Sequence, residues 1–300
     1  MGGKLVYGFN VPESLGWTEF VSEVESSRLK IPFGWKKDPA DKQDFRFAAL
    51  ASSDGPLEPL ADDPIRKTDF ESEMTSVRDQ SFEGTCVGFS TAAHKEWQEK
   101  KERSTWGFSK TAVKIISPRY IYFKAREPYG WDNATDQGAY IRDAFKVINN
   151  YGAIIESGWP YQPEDWETAP DPRRLADSPR YRVTAYVRLD TVDQMARWLQ
   201  NAGPFVAGVD VFRSFFYPSA DGKIENPSNA DYSYGGHAIC MVGFDPDGFG
   251  LFNEPAFKLK NSWNTTWGVR GYGYISASYM ENYSGDNWGS TDLLTVKPRV

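Results

Sequence analysis

Three hundred residues, 40% hydrophobic and 25% charged, make an ordinary globular composition with enough chain for one large domain or two lobes around a real core. A formal charge of −7, without blocks of like charge, argues against nucleic acid or an anionic membrane as the main partner, because both demand basic patches. Two cysteines and two histidines are too few for a disulfide framework and lack metal-ligand spacing, and no apolar stretch reaches the length of a membrane span.

The first residues, Met1 to Tyr7, lack the apolar core of a signal peptide, and localisation stays open. Residues 1–68 hold one helix-like run, Thr18 to Leu29, and then a polar stretch through Asp62-Asp63-Pro64. They read as an N-terminal extension, either wrapped on the body or partly detached. From Asp69 the pattern becomes denser. Thr85 is placed to cap a helix running from Cys86 to about Glu99, apolar on most sides at its start and so central and buried. Gly138 to Asn150 carries Ile141, Ala144, Phe145 and Ile148 on one face, with Gly152 just past its end, and predicts a second helix. Thr191-Val192-Asp193-Gln194 has the form of a capping box opening a third. After about residue 180 strands take over: Tyr181 to Leu189, Pro204 to Val211, His237 to Phe244, Ala256 to Asn261 and Tyr272 to Ser278. Helices first and strands second imply an α+β fold with segregated lobes. No glycine-rich phosphate loop precedes a helix, so no nucleotide cofactor is expected.

A thiol nucleophile must be a thiolate, which a helix N-terminus and a nearby imidazolium both favour. Cys86 sits at the first. Of the two histidines, His94 lies eight residues along the same helix, roughly 12 Å away at 1.5 Å per residue, and reads as structural or surface. His237, in Gly235-Gly236-His237-Ala238-Ile239, follows two residues without side chains that leave room for a ligand. Asn261, in Lys260-Asn261-Ser262-Trp263, can accept from one imidazole nitrogen and hold the other toward sulfur. Trp263 can cover that contact. Gln80, ahead of Cys86, can offer its amide N–H to a developing oxyanion alongside the Cys86 backbone N–H. Cys240 lies within an apolar strand and reads as core.

Gln-x5-Cys, then Gly-His-Ala, then Asn-Ser-Trp-x3-Trp-Gly, in this order between Asp69 and Ile275, resembles the papain-like cysteine peptidases. The resemblance implies Gln80 as the oxyanion-hole glutamine, Cys86 as nucleophile, His237 as base, Asn261 as its orienter, and Trp263 and Trp267 as shielding aromatics. It implies a papain-like two-lobe fold: a helical lobe at about 69–165 and a β-barrel-like lobe at about 166–295, facing across a cleft. Glu83 stands where the family commonly has a disulfide cysteine, and Val87 where it has Trp. The substrate-pairing glycine loop is reduced to Asp136-Gln137-Gly138. The phrases Gly34 to Asp41 and Gly152 to Tyr161 look like those of bacterial members.

The run Gly203 to Gly208 resembles the strand lining the family's main specificity pocket, which receives the residue two before the cut. With Gly208 and Gly236 both small, the expectation is an open pocket for a bulky apolar or aromatic side chain, with Gly138 near the substrate backbone and Trp263 among the substrate-binding residues. The expected activity is amide hydrolysis of a peptide or protein by a monomer without cofactor or metal. A ligase or transpeptidase using the same acyl-enzyme and a non-catalytic peptide-binding relative are the rival readings. The extension is expected either to block the cleft as a prosegment or to pack behind the lobes.

Overall fold

The computed structural model describes residues 3–6, 9–12, 33–47, 64–105, 113–129, 136–163, 178–179 and 181–291. The expected helix at Thr18 to Leu29 lies outside them. In chain order, β1 (Gly3–Val6) and β2 (Phe9–Pro12) form an antiparallel pair. Two short strands follow, β3 (Trp35–Lys36) and β4 (Thr68–Asp69). The helical half comprises α1 (Cys86–Thr105), α2 (Pro118–Arg126), β5 (Ala139–Tyr140) and α3 (Ile141–Asn150). The strand half comprises β6 (Ala185–Arg188), α4 (Val192–Asn201), β7 (Phe205–Val211), α5 (Arg213–Phe216), β8 (Gly235–Asp245), β9 (Ala256–Lys260), β10 (Tyr272–Ser276), α6 (Ala277–Tyr283) and β11 (Ser284–Thr291).

The α+β layout is therefore as the pattern predicts, with helices gathered ahead of strands. α1 packs between α2 and β8, which explains why it is buried on every side from Cys86 to Gln98. Its close approach to α2 needs a glycine: a Cβ on Gly88 would stand 2.4 Å from the Pro118 carbonyl oxygen. Ser117 caps α2 by accepting from Tyr120 N, with Pro118 in the first turn. Thr191 caps α4 through Gln194 N at 3.2 Å, while the Gln194 side chain accepts from Asp190 N at 2.8 Å. The expected cap at Thr85 is absent. Its hydroxyl meets Tyr161 OH at 3.1 Å instead.

The main sheet runs β10-β9-β8-β7-β11-β6, with β4 added on β8. Every pair in it is antiparallel, and the path is open, since β10 and β6 are its two ends rather than neighbours. The strand expected at Tyr181 to Leu189 contracts to Ala185–Arg188. Among the described residues three apolar clusters result: one under the sheet around Leu199, Phe205, Phe257 and Ile275, one among the helices around Val87, Ile121, Phe145 and Ile148, and a smaller one around Met74, Trp97 and Val242. Residues 33–47 lie against the body. β3 pairs parallel with β5, and Arg188 N donates to Phe45 O at 2.9 Å. Among the described residues no helix is long and apolar enough to cross a membrane.

Candidate active site

The loop before α1 is tied to the strand half by backbone and side chain. Gln80 N donates to Ser262 O at 2.9 Å, and Ser262 Oγ donates to Gln80 Oε1 at 2.6 Å. Gln80 Nε2 gives one hydrogen to Glu83 O at 2.8 Å. An amide carries two, so one N–H is left for another acceptor. Asp136 lies beside this loop. Its carboxylate accepts from Gly84 N and from Tyr122 OH, and that hydroxyl in turn accepts from Gly138 N at 3.0 Å. Charge-assisted hydrogen bonds thus fasten the nucleophile loop to the 136–138 loop.

Cys86 opens α1 and is fully buried. Ala238 N donates to its Sγ at 3.4 Å, which places the sulfur beside the residue that follows His237. His237 is the third residue of β8, opposite Val209 in the ladder. Its Nε2 is 2.8 Å from Asn261 Oδ1, which also accepts from Ser262 N at 2.8 Å. Because an amide oxygen only accepts, Nε2 carries the proton and Nδ1 is the basic nitrogen. Nδ1 is buried and has no hydrogen-bond partner. Trp263 covers the ring, with centroids 4.5 Å apart, and Phe215 meets it edge-on at 5.8 Å. Trp263 is itself 2% exposed and stacks on Phe216. Trp267 is anchored by its indole N–H to Phe215 O at 2.9 Å. His94 is buried on α1 and bonds Ser290 Oγ at 2.7 Å, structural and not on the surface, and Cys240 is buried, as its place in an apolar strand predicted.

The electrostatics differ from the thiolate expected at a helix N-terminus. Burial pushes the Cys86 thiol up to about 12 against the backbone N–H groups of Ala238, Gly34 and Val87, and Asp136 adds to the rise. Burial also lowers His237 to about 4, opposed by Asn261. Desolvation outweighs the hydrogen bonds at both groups, so this form of the site holds a neutral thiol and a neutral imidazole. Among the described residues no hydrogen bond joins Sγ to the ring, and no cluster of His, Cys, Asp or Glu is arranged for a metal ion.

What excludes water is the chain's own segment 33–38. Phe33 lies against Gly235, where a Cβ would meet its ring at 2.6 Å. Gly34 turns its N–H to Cys86 Sγ, and its carbonyl accepts from Ala139 N at 2.7 Å. It must be glycine, because a Cβ there would stand 1.7 Å from Gly84 O. The Trp35 indole then covers Gly208, Gly236 and Gly285, where added Cβ atoms would fall 2.2, 2.5 and 2.9 Å from ring atoms. Asp38 N donates to Asp286 Oδ2 and Trp288 Nε1 to Asp38 Oδ2, both at 2.7 Å. Arg142 holds Pro39 O at 2.8 Å and Asp44 at 3.1 Å.

Cys86, His237, Asn261 and Gln80 are therefore brought to one place, and Gly138, Gly208 and Gly236 line one groove. Trp263 is not among the groove's walls but behind the imidazole. Sequence reasoning named Asp136 only as part of its loop, without its tie to Gly84 and Tyr122, and missed Gly285 and Asp286. For the last two no motif could have served, since Trp35 and Asp286 are 251 residues apart.

The pattern described as the papain family cysteine protease matches residues 64–287. An uncharacterised peptidase C1-like protein of Acanthamoeba polyphaga mimivirus is 28% identical over 293 residues, 88% of either chain. Digestive cysteine proteinase 2 of Homarus americanus is 29% identical over 210 residues, 70% of this chain and 60% of its own. The structure of xylellain, a cysteine protease from Xylella fastidiosa, superposes with a TM-score of 0.74 at 27% identity, covering 88% of this chain and 97% of that one. With the pattern spanning most of the sequence and the fold shared, the chain belongs to the papain family of cysteine proteases and is a cysteine peptidase.

Proposed function

We propose that Cys86, His237, Asn261 and Gln80 hydrolyse peptide bonds, and that residues 33–38 keep this machinery latent until they leave the groove. The observation that carries the first part is the imidazole held at Nε2 by Asn261, with Nδ1 free and the next backbone N–H on the sulfur. When solvent or substrate replaces the segment, Nδ1 takes the thiol proton, and sulfur attacks the scissile carbonyl carbon. The free Gln80 N–H and the Cys86 N–H hold the oxyanion. The imidazolium returns its proton to the leaving amine, and the imidazole then takes one from the water that opens the thioester. Asn261 keeps the ring in one tautomer through these transfers.

Latency follows from chain direction. In a substrate the residue at the nucleophile comes after the one in the main pocket. Here Gly34, at sulfur, comes before Trp35, in the pocket. The segment therefore runs backwards: it offers sulfur an N–H, while its carbonyl is committed to Ala139 N. It fills the groove without presenting a bond to cut. The pocket is read as taking a bulky aromatic side chain two residues before the cut, and a peptide-library profile preferring Asp or Gly there would reject that. The bacterial-looking phrases at 34–41 and 152–161 are in keeping with the Xylella likeness. Cys86→Ala should abolish turnover and labelling by an epoxysuccinyl probe with the melting temperature unchanged; wild-type rates in that variant would refute the assignment.

A further inference from the structure

We propose that Asp286 is a specificity-determining residue: it makes the main pocket select an aromatic ring that carries an N–H donor on its edge, tryptophan above all. This rests on the peptidase reading and names its substrate class. The pocket's walls are the backbones of Gly208, Gly236 and Gly285, each in contact with a different part of the Trp35 ring system. Such walls fit a flat ring and discriminate little among rings. At one edge of the ring Trp35 Nε1 donates to Asp286 Oδ2 at 3.0 Å. Asp286 is fully buried. Its Oδ1 faces Arg188 Nη2 at 3.0 Å, and Arg188 is fixed by Gly285 O at 2.8 Å.

Once the segment leaves, Oδ2 loses both of its donors, Trp35 Nε1 and Asp38 N. A ligand filling the pocket with a ring that lacks a donor would seal in a carboxylate oxygen without a partner, which is costly in a dry site. A donor built into the ring avoids this, and a site made to bond such a group rejects analogues lacking it far more strongly than it senses a methylene. The donor belongs to a side chain, so the contact is indifferent to backbone direction. Arg188 already neutralises the carboxylate, so a neutral donor suits the place better than a second guanidinium.

The test compares peptides that differ only two residues before the cut, carrying Trp, 3-benzothienylalanine (sulfur in place of the indole N–H), Phe or Arg. The full chain with Trp35→Ala is used, so that the pocket is vacant. Its kcat/KM for Trp should exceed that for benzothienylalanine by at least about tenfold, the effect of one hydrogen bond to a charged group. Asp286→Ala should close the gap, and Asp286→Asn, whose amide oxygen still accepts, should keep part of it. Binding of the same peptides to the Cys86→Ala, Trp35→Ala full chain, followed by calorimetry, should give the same ranking without turnover. Equal binding of Trp and benzothienylalanine, or preference for Arg, overturns the proposal. If Trp is preferred in binding while the Cys86-containing chain cleaves nothing and takes no epoxysuccinyl label, the pocket assignment stands and the peptidase reading falls.

Discussion

Both histidines are buried, both bond a partner through Nε2, and burial depresses the pKa of both, His94 to about 3 and His237 to about 4. What separates them is what surrounds the ring. His94 projects from α1 to a β11 hydroxyl that Gln98 Nε2 also reaches at 3.1 Å, and the Phe145 ring lies 5.5 Å away. It joins helix to sheet within a polar seam. Nδ1 is unbonded in both rings, but His237 has an amide oxygen that fixes the proton on its Nε2, an aromatic cover and a neighbour whose N–H touches a thiol. A perturbed pKa therefore marks burial at both places and function at neither. The fixed tautomer beside a nucleophile is the informative feature.

The comparison breaks most decisively at the imidazoles themselves. His237→Ala should lower kcat by about 10²–10⁴, the usual range for losing a general acid–base group, with little change in melting temperature. His94→Ala should leave kcat within a factor of about two and cost about 1–3 kcal/mol of stability in denaturant unfolding, the penalty for removing one of the two side-chain hydrogen bonds at Ser290 Oγ in a closed seam. Loss of turnover in a folded His94→Ala chain would erase the distinction.

A smaller effect sharpens it by asking what makes the His237 surroundings dry. Trp35→Ala should speed labelling of Cys86 by about tenfold or more, as expected from removing one large apolar anchor. Gly208→Val should also loosen the segment, because its Cβ would overlap the indole. Unlike Trp35→Ala, it should lower the cleavage of peptides with tryptophan in the pocket. If both variants release activity equally on such peptides, Gly208 is not a pocket wall.

These two regions were unequally legible in the sequence. Cys86, His237 and Asn261 stand in short motifs whose local geometry carries their roles: a helix start, a strand start behind two glycines, and a strand end. The helices at 86 and 141 and the strands at 205, 235, 256 and 272 follow from apolar periodicity. β11 does not. Its sequence, SGDNWGST, has two glycines and few apolar residues, and it is a strand because Asp286, Asn287 and Ser290 find partners there on other elements. The segment 33–38 was opaque for the same reason. Gly34 and Trp35 acquire meaning only against Gly84, Gly208 and Asp286, and no local rule spans such separations. α2 is a different kind of omission, since Ser117-Pro118 was a readable start signal.

The smallest expected effect concerns pH, and two buried groups oppose each other in it. Asp38, on the segment, faces Asp286 from β11, the Trp288 indole and Arg142 from α3, with Arg188 from β6 behind Asp286 and Asp44 on the other side of Arg142. Burial first, and Asp286 second, raise its carboxyl to about 7. Released into water, it returns to an ordinary carboxylate value. Docking thus takes up a proton, so Asp38's contribution is fully present below about 4 and is lost as pH rises through about 7. His237 works the other way. Burial under the segment depresses it to about 4, so its contribution is present above about 6.5 and is lost as pH falls through about 4. Across the intervening range the two slopes have opposite sign, and the wild-type rate of Cys86 labelling should change little between them. Asp38→Asn removes one slope and should leave release promoted by acid, changing the rate by a few-fold between pH 7 and 6, measured with a probe whose own reactivity is corrected on an unblocked chain such as Trp35→Ala. A pH profile unchanged by Asp38→Asn would mean that the carboxyl is charged in the docked state and that Arg142, rather than a proton, balances it.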